Sequence, residues 1–222
     1  MPNLENYFLQ IEGAKVIDSS ISYSKYVALN LSTSNEKLSK IDLANAEIFE
    51  NFIENHLLEN NAKVAFGGYN EVRSLYNENN HFNAENRNIH LGIDFWIKAE
   101  TPVLAALEGI VHSFNFNAGS GNYGPTIILE HTFENQKFYT LYGHLSTESI
   151  EDIEIGAIFK KGETLATLGD SSANGGYAPH LHFQIIKNIE DKLGDYPGVC
   201  SQKTLDFYLE NCPDPNLLLK IT

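Results

Sequence analysis

Five side chains of the kinds that bind metals or move protons fall in three short runs of this sequence: RNIHLGIDFW, FYTLYGHLS and PHLHFQII. If the first run is a strand, side chains alternate, so His90, Gly92 and Asp94 share one face while Leu91, Ile93 and Phe95 share the other. An imidazole and a carboxylate then converge across a residue with no side chain, a gap suited to a metal ion with the nitrogen and oxygen donors that zinc takes. In the last run the same period places His180 and His182 together, with Leu181 and Phe183 toward the core. A rigid strand fixes the separation of two imidazoles, as a metal site requires, but spacing alone fits paired surface or hydrogen-bonded histidines equally well. His144 follows a strand and a glycine, either as a turn residue or at a strand end where loops build sites.

These residues need a scaffold, and the surrounding pattern supplies one. Between about residues 63 and 195 the runs GIDFWI, PVLAAL, GIVHSFNF, PTIILEH, FYTLYGHL, AIFKKG, TLATLG and HLHFQII read as short strands. Glycine-rich punctuation such as NAGSGNYG and GDSSANGG predicts an antiparallel sandwich or barrel-like architecture rather than alternating β and α units. Residues 1–62 carry strand-like KVIDSS and YVALNLS and a helix within 39–60, on which Ile41, Ala44, Ile48, Phe52 and Leu58 approximate one apolar stripe. That segment reads as a cover over the β domain of residues 63–195. Residues 196–222 form a C-terminal extension, with a helix starting near Ser201 and stopped by Pro213, then DPNLLLKI as a packing segment.

Taken together, H-x-x-x-D, a later G-H-L and a final H-L-H preceded by a glycine-rich loop resemble the lysostaphin-type zinc metallopeptidases, a family that includes many peptidoglycan endopeptidases. The resemblance covers roughly residues 63–187 and extends to GGYNEVR, TPVLAALEGIV and KKGETLATLGDS. It implies a mainly β chain with an antiparallel β-sandwich and flanking helices, a Zn2+ cofactor, His90, Asp94 and His182 as metal ligands, and His144 and His180 at catalytic positions. Three protein ligands leave a fourth zinc position for water, whose pKa falls to roughly 7. No H-E-x-x-H helix occurs, so the glutamate base of that other class is missing, and a neutral imidazole of His144 or His180 is matched to accept the proton. Members that cut glycine bridges carry a tyrosine shortly before the first zinc histidine, and FNAENRNIH has none. Tyr142 or Tyr177 is then either a groove hydroxyl or a core aromatic. The flanks GGYNEVRSLY, PTIILEH, GDYPGVCS and CPDPNLLL are similar to the peptidase-like domain found in some large cytoplasmic proteins between phosphotransferase and aminotransferase domains.

The function expected from these features is zinc-dependent hydrolysis of a peptide or amide bond, muropeptides included; the alternative is a non-catalytic metal-containing binding or regulatory module on the same fold. Arg73 either binds a substrate carboxylate or anchors its loop through its planar fork. His56 and His81 are expected to be solvated, and His112 and His131 to lie on the surface or rim. Gly169, Gly175 and Gly176 serve turn geometry, since no Lys-Ser/Thr and helix follow them to make a phosphate cradle. Fifteen Lys+Arg against 29 Asp+Glu give a net charge of −14, which disfavours nucleic acid and anionic membranes as partners. Cys200 and Cys212 are too few for a disulfide framework. MPNLENYFLQIEGAK lacks the pattern of a secretory leader, so a cytoplasmic location is expected, with a processed secreted or periplasmic form reading the same way.

Overall fold

The computed structural model describes residues 3–73 and 87–221. His81 and most of the stretch before His90 lie outside them. Each of the eight strand-like runs contains a strand, and the described chain is mainly β. The principal sheet has eight strands: β1 (Tyr26–Ala28), β2 (Val64–Gly67), β5 (Ile93–Trp96), β7 (Gly109–Asn117), β8 (Gly124–Phe133), β9 (Gln136–Gly143), β10 (Ile158–Phe159) and β12 (His180–Ile186), in the spatial order β1-β2-β5-β12-β9-β8-β7-β10. β6 (Pro102–Leu104) pairs with β11 (Thr164–Thr167), and β3 (Glu71–Val72), β4 (Ile89–His90) and β13 (Val199–Cys200) make a third, small sheet. Among the described residues every strand pairing is antiparallel except that of β1 with β2, so the principal sheet is mixed where the turn pattern predicted a purely antiparallel one. The parallel pair arises because α2 (Ala46–Glu59) lies between β1 and β2 and returns the chain to the same end of the sheet.

Strands β5 and β12 are buried along their whole length. One face, with Ile93, Phe95, Leu181, Phe183 and Ile185, packs into the main core beside Val103, Leu165 and Ala166 of the β6–β11 pair. Leu4 and Phe8 of α1 (Leu4–Gln10), with Ile17 and Ile21, belong to the same core. The other face is covered in two patches. At one end Phe49 and Ile53 of α2 pack on Trp96, Ala65 and Ala178; at the other Tyr196 and Cys212 pack on Ile186 and Leu141.

Helix α2 corrects the expected stripe. Ile41 and Ala44 precede the helix, and Ile48 and Leu58 are exposed; of the stripe Phe52 and Ile41 pack against the core, half-buried, while Phe49 and Ile53, one turn apart, carry the full burial. Asn45 caps the first turn by accepting from the Ile48 N–H at 3.1 Å, which sets the start of the helix and hence its buried side. The C-terminal segment forms helices Leu205–Asn211 and Asn216–Leu219, with Leu218 and Leu219 in the core.

Candidate metal centre

Sheet register builds the site in rows. Gly67, Asp94, His182 and Gly143 lie opposite one another across β2, β5, β12 and β9, and Ala65, Trp96 and His180 form the next row. Directly opposed residues share a sheet face, so Asp94 and His182 stand on one face between two glycines.

His90 reaches them differently from the alternation argument. The chain does not run as one strand from His90 to Asp94: it breaks at Leu91–Gly92, and His90 sits in the small β3–β4–β13 sheet. A Cβ at Gly92 would come within 2.6 Å of the Phe183 carbonyl oxygen and 2.7–2.8 Å of the His182 ring, so only glycine lets the break pass this close. The break turns His90 back onto Asp94, with His90 Nε2 3.2 Å and His182 Nδ1 3.1 Å from Asp94 Oδ1.

The hydrogen-bond partners assign the proton on each ring. His90 Nδ1 lies 3.0 Å from the Gly68 carbonyl and must donate there, which leaves Nε2 bare. His182 Nε2 lies 2.9 Å from Gln184 Oε1, and the Gln184 amide is held in that sense because its Nε2 donates to the Pro197 carbonyl and to Cys212 Sγ. His182 Nδ1 is therefore bare as well, and it lies 2.9 Å from His90 Nε2. Burial pushes His90 down to about 4 despite its carboxylate neighbour, so this ring is neutral at neutral pH. Burial alone would raise Asp94, but His90 and the Arg73 guanidinium outweigh it and hold the carboxyl well below the usual range. His90 Nε2, His182 Nδ1 and Asp94 Oδ1 thus converge at 2.9–3.2 Å. Those edges approach the ~3.3 Å expected of a tetrahedron with metal–ligand bonds of about 2.0–2.1 Å. The donor set fits a divalent cation that accepts two imidazole nitrogens and a carboxylate oxygen.

Arg73 resolves to an anchor. Fully buried, it donates to Asp94 Oδ2 at 2.6 Å and to Glu71 Oε2 at 2.7 Å, and its guanidinium lies over the Trp96 ring. Asp94 Oδ2 is taken, so Oδ1 faces the imidazoles.

His180 and His144 complete the cluster, their ring centroids 4.1 Å apart. His180 Nδ1–H donates to the Ala178 carbonyl at 2.8 Å and His144 Nδ1–H to the Asn174 carbonyl at 2.9 Å, so both Nε2 atoms are bare. Burial lowers both below the ordinary histidine value. His144 holds φ +65°, a left-handed conformation costing about 1–3 kcal/mol for a residue with a Cβ; its N–H donates to Tyr123 and its carbonyl accepts from Gly169. All five predicted residues therefore meet, lining one cavity of about 330 Å³.

Two participants were not foreseen. Gln184 could have been found by carrying the period of two one step beyond His182, to a polar residue inside a buried strand. Tyr123, whose hydroxyl is 3.4 Å from His182 Nε2 and whose ring lies where a Gly143 side chain would be, had no local signal. Tyr142 is core: its hydroxyl accepts from the Ala106 N–H. Tyr177 lines the cavity, its hydroxyl donating to the Gly121 carbonyl. His131 is not a rim residue but buried, its Nδ1–H donating to the Glu108 carbonyl. His56 bonds the Ala28 carbonyl and His112 is half-buried beside Ser113.

Residues 88–192 match the family model described as Peptidase family M23. Among curated proteins the chain is 31% identical over 118 residues to an uncharacterized metalloprotease of Haemophilus influenzae, covering 52% of this chain and 23% of that protein. It is 31% identical over 99 residues to the peptidoglycan DD-endopeptidase ShyC of Vibrio cholerae, covering 45% and 20%. It is 34% identical over 104 residues to lysostaphin of Staphylococcus staphylolyticus, covering 46% and 20%. The chain spans about a fifth of the length of these relatives.

Proposed function

We propose that the chain, whose residues 88–192 match Peptidase family M23, is a zinc-dependent hydrolase of peptide or amide bonds. The observation that carries the reading is the convergence of His90 Nε2, Asp94 Oδ1 and His182 Nδ1, three ligand atoms placed to share one cation. Zinc held there by three ligands would lower the pKa of a water in its open position and polarise the scissile carbonyl.

The chain's own residues supply the rest. His180 Nε2 or His144 Nε2 takes the proton of the attacking water, since each imidazole is neutral and already oriented through Nδ1. Only one of two rings this close takes a charge, because a second would meet like-charge repulsion in a buried site. The other donates or steadies charge on the carbonyl oxygen. Arg73 keeps Asp94 ionised and turned, and Gln184 fixes the tautomer of His182. Packing of the β6–β11 pair against the core face of the principal sheet supports the two-layer sandwich implied by the family resemblance. The relatives' names point to peptide cross-links of cell walls as one substrate class.

The test is metal analysis of protein purified without added zinc, combined with hydrolysis of soluble muropeptides. We expect one zinc per chain and turnover that a chelator abolishes and zinc restores, with both lost in Asp94→Ala. Protein that stays metal-free after dialysis against zinc would refute the reading.

A further inference from the structure

The catalytic row is bounded at both ends of β12 by segments outside the residues that match the family. Toward the start of the strand, one row past the metal row, His180 and Trp96 meet α2: the Phe49 ring packs edge-on against Trp96 at 6.5 Å, and Trp96 lies parallel to His180 at 5.9 Å. Phe49 and Ile53 cover Trp96, Ala65 and Ala178, so the sheet face ends there under the N-terminal segment. Toward the other end, Gln184 and Ile186 run beneath Pro197, Tyr196 and Cys212. Phe49 on one side and Tyr196, Pro197 and Gly198 on the other line the same cavity as the five histidine and aspartate side chains.

We infer that this site is a walled pocket for a short amide or for the end of a peptide, not a trough through which the middle of a polymer passes. The inference rests on the proposed hydrolase reading and deepens its substrate class. Its size agrees: about 330 Å³ lies at the low end of the ~300–1,000 Å³ typical of small-ligand pockets. So does the placement of charge. Lys192 and Asp195 are exposed at the cavity rim, whereas the wall beyond His180 is made of the buried aromatic rings of Trp96 and Phe49. A ligand leaves toward the charged rim and stops at Phe49 and Trp96. The N-terminal segment is therefore a specificity element, with Phe49 setting the depth of the pocket.

The chain contains a single tryptophan, so the emission of Trp96 reports on this wall alone. The experiment compares zinc-loaded protein with alanine-containing amides of two, three, five and eight residues and with cross-linked peptidoglycan, reading Trp96 emission for binding and amine release for turnover. We expect the two- and three-residue amides to perturb the emission and to exceed the eight-residue peptide by roughly 10-fold or more in kcat/KM or in affinity. Phe49→Ala should narrow that ratio and Phe49→Leu should narrow it less, with zinc content unchanged and folding verified by circular dichroism; the Leu variant keeps the test valid if Ala unfolds. Equal per-bond efficiency on short amide and polymer, or no change in Trp96 emission with any probe, would overturn the pocket. Zinc content separates that failure from failure of the hydrolase reading, which would show as loss of the metal itself.

Discussion

The two histidines of HLH have opposite proton arrangements, and this separates their roles. His182 carries its proton on Nε2, toward Gln184, and turns Nδ1 to Asp94; His180 carries its proton on Nδ1, toward Ala178, and keeps Nε2 bare. His182→Ala should therefore lose zinc and activity together, whereas His180→Ala should keep zinc while turnover drops by something like 10²–10⁴-fold. Gln184→Ala removes the acceptor that fixes the His182 tautomer, and zinc affinity should weaken by about 10–100-fold. Competition with a chromophoric chelator measures all three; zinc retained in His182→Ala but lost in His180→Ala would exchange the roles. A strand period of two made His180 and His182 legible as one face and register sets Asp94 opposite His182, whereas His90 reaches them through the break at Gly92 and His144 from a left-handed turn after β9. What supports them was less so. Arg73 is within reach of Asp94 only because β3 and β5 are brought together in space, and no spacing in the sequence states which oxygen of Asp94 it occupies.

Strand β8 carries a group whose burial the run ILEHTF does not reveal. His131 opposes Phe138 on β9, stacks on its ring, and has Nε2 2.8 Å from the Thr140 hydroxyl. Burial lowers its pKa to about 4, with the Glu108 carbonyl and Glu130 acting weakly in the other direction. The sign follows from proton uptake: between pH 6.5 and 4 the unfolded chain binds a proton at this position that the folded chain does not. Stability is thus undiminished above about 6.5 and is lost progressively down to about 4, by roughly 3 kcal/mol at most. Urea denaturation of zinc-free protein across this window, compared with His131→Gln, should show a shallower acid loss in the variant; parallel curves would mean that charging of His131 is not the source. The same limitation explains what the elements hid. β5 and β12 are buried on both faces, so alternation of polar and apolar residues marks the site face and not solvent, and the stripe read on α2 shares only Phe52 with the covered side, which centres on Phe49 and Ile53. The parallel pairing of β1 depends on where α2 returns the chain, a property of packing and not of any local run.

Residues 1–62 share cores with the sheet they cover, and this determines how the molecule unfolds. Leu4, Phe8, Val16, Ile17 and Ile21 lie in the same cluster as Phe95, Leu181 and Phe183, while Leu29, Leu31, Phe49 and Ile53 surround Trp96. Backbone pairing adds to this: β1 bonds β2, and Ile17 bridges Val103. Three residues of β1, the seven-residue α1, the 14-residue α2 and two 3-10 turns bury too little among themselves to be stable alone, since a sheet needs several strands and an apolar face covered. Removing the segment would in turn expose the apolar residues it covers on both faces of the principal sheet. One cooperative transition is therefore expected, seen at the same midpoint by Trp96 emission, which reports the α2 contact, and by far-UV circular dichroism, which reports the sheet. Limited proteolysis should release no folded fragment ending near residue 62. Two separated transitions, or a protease-resistant N-terminal fragment with its own melting curve, would show that the segment folds by itself, and the covering contacts would then be docking between two units instead of a shared core.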